Sequence, residues 1–176
     1  MNIEYEFFWS GPFSQWYKDA PFTCVLGLKW NTCEQYMMAE KALLFKDMEM
    51  YQKIRSSSDP ASQKAYGRAV QNYNDKEWNL QRLDSVFSAN MYKFSQNQKM
   101  KKLILSTKGK ILVEVNPRDK IWGIGLDRYD AIRTPADKWP GKNYLGKVLM
   151  LVRECLEENK MFENTIYEEF KKRGWL

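Results

Sequence analysis

Hydrophobic and polar positions along the chain follow two periods in turn. Met1–Trp9 alternates loosely, as a short strand does, Gly11-Pro12 marks a turn, and Pro21–Trp30 divides at Gly27 into the two arms of a hairpin. From Thr32 the period lengthens. Thr32-Cys33-Glu34-Gln35 has the form of a capping box, in which the threonine oxygen and the Gln35 side chain satisfy helix-end amides reciprocally. The Met-, Ala- and Leu-rich run to Phe45 then predicts a helix. Asp59-Pro60 puts an N-cap before a first-turn proline and predicts a helix to about Val70. Asp75 is placed to cap a long helix to about Phe94, with a short one near Gln98–Leu105. Ile111–Val115 is β-branched and predicts a strand. Asn116–Trp139, rich in Gly, Pro and Asp and without a period, predicts a long irregular segment, the kind of connection that usually carries function. Leu145, Val148, Leu149, Val152 and Leu156 give Tyr144–Asn159 one buried helical face, and a last helix covers Asn164–Lys172. No repeat or linker divides the chain, so residues 1–176 read as one domain of the α+β class, predominantly helical with a small β-sheet.

Composition narrows the chemistry. The chain of 176 residues contains no histidine, which removes Ser-His-Asp and Cys-His activation, His-ligated zinc and imidazole acid–base catalysis together. Catalysis must rest on Asp, Glu, Lys, Tyr or backbone groups. The three cysteines, Cys24, Cys33 and Cys155, form no CxxC pair, so neither a zinc site nor any other metal site is expected, and no cofactor is called for. Their odd number without a signal sequence points to a reducing, cytoplasmic setting, and no apolar run is long enough to span a membrane. A net charge of +6 is compatible with a polyanionic ligand, and equally with plain solubility.

Two regions concentrate reactive side chains. On a helical wheel Lys41 lies about 20° from Glu34, with Met37, Met38, Leu44 and Phe45 around it. Desolvation there would favour the neutral amine, a better nucleophile; the alternative is a lysine that snorkels from a buried stripe to water. Glu34 is either a cleft acid or a first-turn carboxylate favoured by the helix dipole. The second region, Asn116-Pro117-Arg118-Asp119-Lys120-Ile121-Trp122-Gly123-Ile124-Gly125, joins a carboxylate and a tryptophan to two glycines. Trp122 there is a ring for stacking on a base, or a buried structural tryptophan. Its GxG lacks the third glycine and the strand–helix frame of a dinucleotide fingerprint. Asn143, with the backbone amides opening the next helix, reads as an anion or sugar site or as an ordinary cap. Arg68, beside Gly67, reads as a partner for a phosphate or a buried acid.

In order along the chain, Phe13-Ser14-Gln15-Trp16-Tyr17, Glu34-Gln35-Tyr36-Met37-Met38-Ala39-Glu40-Lys41-Ala42, Gly67-Arg68, Lys93-Phe94-Ser95-Gln96-Asn97, Asp119 with Trp122-Gly123-Ile124-Gly125, and Trp139-Pro140-Gly141-Lys142-Asn143-Tyr144-Leu145-Gly146 resemble the NADAR family. These NAD- and ADP-ribose-associated proteins include the YbiA-like N-glycosidases. The resemblance implies a YbiA-like fold and a hydrolase that cleaves a ribose–base N-glycosidic bond. Of two substrate classes it implies, ADP-ribose on guanine in DNA fits this chain better than the ribosylamino-pyrimidine phosphates of riboflavin biosynthesis. Gln15 and Gln35 stand where the YbiA branch tends to have Asn and His. The resemblance also implies Lys41 as a Schiff-base lysine, with Glu34 or Asp119 as acid or base. It further implies substrate contacts from Ser14, Gln15, Trp16, Arg68, Trp122, Gly123, Gly125 and Asn143. Its expected partner is ADP-ribosylated DNA or a nucleotide, paired in function with a DNA ADP-ribosyltransferase toxin, in a bacterial cell or encoded by a virus. A non-catalytic reader of ADP-ribose and a basic nucleic-acid-binding protein are the competing classes.

Overall fold

The computed structural model describes residues 3–176. The strand expected over Met1–Trp9 is β1, Glu4–Phe8, with Met1 and Asn2 lying outside the described residues. It pairs in parallel with β4, Lys110–Glu114, so that Phe8 stands beside Glu114. The hairpin is short: β2, Phe22–Thr23, pairs antiparallel with β3, Lys29–Trp30. Helices make up most of the rest, among them α1 (Cys33–Leu44), α3 (Pro60–Arg68), α4 (Asp75–Gln96), α5 (Gln98–Ser106), α7 (Tyr144–Glu158) and α8 (Ile166–Lys172). The fold is α+β, mostly helical with a small sheet.

Three local readings change. The long α4 is capped by Asn74, whose side chain accepts the amides of Lys76 and Glu77, and not by Asp75, which is already inside the helix. A helix absent from the periodicity, α2 (Met48–Ser56), fills the span before Asp59; its only buried residue is Ile54, and the Asp47 cap supplies a local signal instead. The segment Asn116–Trp139 is less irregular than expected, since it holds the Asp127-capped α6 (Arg128–Arg133) and a single 3-10 turn at Ala136–Lys138.

Two cores flank the parallel pair. Side chains alternate across a strand, so Leu112 enters the main core built on α1, α4 and α7. Val113 joins Val115, Ile124 and Ala131 under Tyr5, Phe7 and Trp139 on the opposite face. Helix α7 lies against β4 because residue 146 has no side chain: a Cβ there would fall 2.1 Å from the Leu112 carbonyl oxygen. Among the described residues no helix is long and apolar enough to cross a membrane.

Candidate active site

Helix α1 brings Glu34 into the interior. Thr32 caps the helix through the Gln35 amide, as the capping box predicts, but the reciprocal bond differs: Gln35 Oε1 accepts from the Asn31 amide (3.0 Å), one residue earlier. The Gln35 Nε2 donates to the carbonyls of Ile54, Arg55 and Ser57 at the end of α2. Buried Gln63 of α3 donates to Asn31 and Ser57 and meets the Thr32 hydroxyl at 2.8 Å. This network fixes the start of α1, and with it Glu34, which is 3% exposed.

The Ser14–Trp16 loop closes over the same point. The Glu34 amide donates to the Gln15 carbonyl (3.0 Å). Gln15 Oε1 accepts from Asn90 of α4 (2.8 Å), and its Nε2 has no partner. Ser14 Oγ accepts the Trp16 amide, and the Ser14 carbonyl accepts from the fully buried Lys93 ammonium (3.0 Å). Ser14 and Gln15 thereby shape the loop, while Trp16 leaves its ring 42% exposed with the Lys64 ammonium 5.8 Å from the ring centroid.

Burial pushes the Glu34 carboxyl up to about 7; Lys64, the Trp16 indole and Arg68 pull it down, and Asp119 pushes it further up. Glu34 Oε1 is buried without a hydrogen-bond partner. The sequence reading missed the group that completes this cluster, Glu114 at the end of β4. Burial drives its carboxyl to about 8, with Asp119 and Glu34 adding to the rise, and its Oε2 is likewise buried and unpartnered. The signal was present in the alternation of β4: Leu112 and Glu114 share a face, so a face committed to the core ends in a carboxylate. Lys64, which bears on both acids, was missed as well.

Lys41 lies two turns along α1, about 10 Å from Glu34 by helix rise. It is 9% exposed, its Nζ donates to the Gly67 carbonyl (2.8 Å), and it stands 4.2 Å from the centroid of the Tyr73 ring. Burial lowers its proton affinity, and the Arg68 charge lowers it further. Arg68, exposed at the end of α3, is thus the link between the amine and the Glu34 cluster.

The remaining candidates take structural positions. Asp119 Oδ1 accepts the amides of Ile121 and Trp122, both at 2.8 Å, and shapes the turn. Trp122 is half-buried, its ring edge-on to Tyr144 at 6.5 Å. The Gly125 amide donates to the Asp119 carbonyl; its φ of 72° suits glycine. At Gly123 a Cβ would lie 3.0 Å from the carbonyl oxygens of both Asp119 and Glu114, so the loop lies flat on the end of β4. The anion site expected at the start of α7 is not open. The amides of Gly141, Lys142, Asn143, Tyr144 and Leu145 donate to the carbonyls of Ile124, Lys120, Gly123, Ile121 and Trp122. Asn143 makes no cap; its Oδ1 accepts the Glu114 amide (3.0 Å) and its Nδ2 donates to the Leu112 carbonyl (2.8 Å). Both ends of that amide are spent on β4, which leaves nothing for a sugar. Among the described residues no group of three or more Cys, Asp or Glu has metal-ligand geometry.

A buried acid cluster capped by an exposed tryptophan, with a desolvated lysine on the same helix, can protonate a leaving group, activate water and form an imine. The comparisons with known proteins agree in fold and kind. N-glycosidase R617 of Acanthamoeba polyphaga mimivirus is 50% identical over 123 residues, covering 70% of this chain and 72% of that protein. Riboflavin biosynthesis protein VVA0006 of Vibrio vulnificus is 30% identical over 135 residues, covering 77% of this chain and 33% of that protein. The NMR structure of the E. coli protein YbiA superposes with a TM-score of 0.72 at 28% identity, covering 93% of this chain and 92% of that one. The NADAR domain model matches residues 7–157, and the chain belongs to the NADAR family.

Proposed function

We propose that this chain is an N-glycosidase, a hydrolase of ribose–base N-glycosyl bonds, and that it removes ADP-ribose from guanine in DNA through a lysine Schiff base. The observation that carries the proposal is Glu34: a carboxyl group 3% exposed, with an unpartnered oxygen and a proton affinity raised to about 7, beneath an exposed tryptophan. Such a group changes protonation at neutral pH, which proton transfer to a departing base or from water requires.

Lys41 supplies the covalent step. Its neutral amine bonds to the anomeric carbon as the carbon–base bond breaks and the electron pair leaves with the base. The glycosylamine opens to a protonated imine, and water then adds to release ADP-ribose and the free amine. Burial makes the neutral amine more accessible than in a solvated lysine, and reaction requires it to leave the Gly67 carbonyl. The exposed Trp16 ring offers a stacking surface for the base, and Arg68 a partner for pyrophosphate. The kinship with a riboflavin biosynthesis protein supports a second reading, in which the sugar carries a ribosylamino-pyrimidine in place of guanine.

Incubation with guanine-ADP-ribosylated DNA, with borohydride present in a parallel sample, tests both parts. Released ADP-ribose and a reductively trapped adduct are expected, and Lys41→Ala should lose both while remaining folded at the assay temperature. Release without an adduct, or turnover by folded Lys41→Ala, would replace the imine by direct hydrolysis. Turnover of the pyrimidine substrate alone would move the enzyme to the second reading.

A further inference from the structure

Among the described residues, Gln15 Nε2, Glu34 Oε1 and Glu114 Oε2 are buried without partners; the Glu34 amide bonds the Gln15 carbonyl, and the Glu34 charge bears on Glu114. Leaving a polar atom unsatisfied in the interior costs about 1–3 kcal/mol, so a cluster of them marks a place built for something other than stability. Two of the three are carboxyl oxygens, and they come from different elements, Glu34 from the first turn of α1 and Glu114 from the last residue of β4. Among the described residues neither carboxyl has a salt-bridge partner. The charged groups that bear on them are Asp119 and Lys64 for both, Arg68 for Glu34, and Glu34 itself for Glu114.

The neighbours divide the two acids. After burial, the strongest influence on Glu34 is a cation, Lys64, with the Trp16 indole next. The strongest on Glu114 is an anion, Asp119. These neighbours favour the protonated form more at Glu114 than at Glu34. Asp119, the other candidate, spends Oδ1 on two loop amides. The half-buried Glu114 is held from behind, its amide on Asn143 Oδ1 and its carbonyl accepting the Ile124 amide, so the side chain is anchored at a fixed register.

We infer that Glu114 is the general acid of the N-glycosidase, paired with Glu34 as the general base. The inference rests on the N-glycosidase reading above. As the anomeric carbon–nitrogen bond breaks, its electron pair goes to the base and the Glu114 proton joins the base nitrogen. Glu34 takes the proton of the water that later releases the sugar. Transfer of that proton from Glu34 to Glu114 restores the starting state, with one water consumed and nothing oxidised or reduced.

Two substrates separate acid catalysis from support of the fold: guanine-ADP-ribosylated DNA, and ADP-ribose linked to 4-nitrophenol, whose leaving group departs without a proton. Glu114→Gln should lose about 10²–10⁴-fold in kcat on the first and stay within about tenfold on the second. The fall of wild-type kcat/KM above pH 8 should be absent from its profile. Retention within about threefold on the modified DNA, or equal loss on both substrates, would overturn the inference. Carbon-13 NMR titration of the glutamate carboxyls reads the unliganded protein. The resonance missing from Glu114→Gln should titrate above pH 7, and titration in the ordinary carboxylate range would overturn the inference. If the wild type turns over neither substrate, the N-glycosidase reading falls instead, and the titration still decides where the proton sits.

Discussion

At Glu34 the protein keeps a proton that the unfolded chain gives up. The ordinary glutamate value is 4.5 and burial raises it to about 7, so between those pH values the folded state binds more protons and its stability falls as pH rises. Below 4.5 both states are protonated and the group contributes nothing; above 7 the full cost is present. Glu114 extends the same fall to about pH 8. Glu34→Gln removes the cost of the buried charge while keeping the shape. Its melting temperature should exceed that of the wild type by several degrees at pH 8.5 and equal it at pH 4.5. The N-cap carboxylates Asp47 and Asp59 and the first-turn Asp75, whose proton affinities are depressed by their hydrogen bonds, act in the opposite sense at lower pH and are common to both proteins. A thermal unfolding series across pH reads the difference directly; a parallel shift at every pH would place the effect of the substitution in packing.

At the level of elements, the site depends on how loop 116–125 and α7 hold the end of β4. Asn143 adopts a left-handed conformation, φ 53°, which asparagine tolerates, and from there its amide bonds Leu112 and Glu114. Asn143→Ala leaves a buried carbonyl and a strand-end amide unsatisfied. It should cost about 2–5 kcal/mol, a fall of roughly 5–15 °C in melting temperature. Activity at a temperature where the variant remains folded should fall too, because Glu114 loses its anchor; an undiminished kcat there would show that the register of β4 does not matter to the chemistry. Elements of this kind were only partly legible in the sequence. Helices with an adjacent side-chain cap, α1 and α3, or with a continuous apolar stripe, α7, follow from local rules. Helix α2 does not, since one buried residue makes no period. The same limit explains the site. Glu34 and Lys41 share a helix, so a wheel places them on one face. Glu114 and Lys64 come from other elements, β4 and α3, and their electrostatic relation to Glu34 arises only in the folded chain, which no local pattern encodes. The open anion site anticipated at Asn143 failed for a related reason, as the amides there are taken by a loop some twenty residues earlier.

Across the whole molecule, 28 Lys and Arg stand against 22 Asp and Glu, and two cations at the site are more exposed than Glu34. Arg68 is exposed and Lys64 half-buried, while Glu34 is buried. That order suits a polyanion whose backbone stays at the surface while one sugar–base bond reaches the interior. It also separates the two substrate readings by salt. Neutralising several phosphates releases condensed counterions, so affinity for a nucleic acid falls steeply with ionic strength, whereas a mononucleotide releases few. For an ADP-ribosylated single-stranded oligonucleotide, kcat/KM should fall at least about tenfold between roughly 50 and 300 mM salt, and about threefold or less for ADP-ribosyl guanosine. Arg68→Gln, which removes a pyrophosphate contact common to both substrates, should lower kcat/KM on each by a similar factor and leave the difference between their salt slopes nearly unchanged. Equal slopes for the two substrates would mean that recognition ends at the modified nucleotide and that the net charge serves solubility; the free nucleotide, and with it the pyrimidine reading, would then gain over DNA.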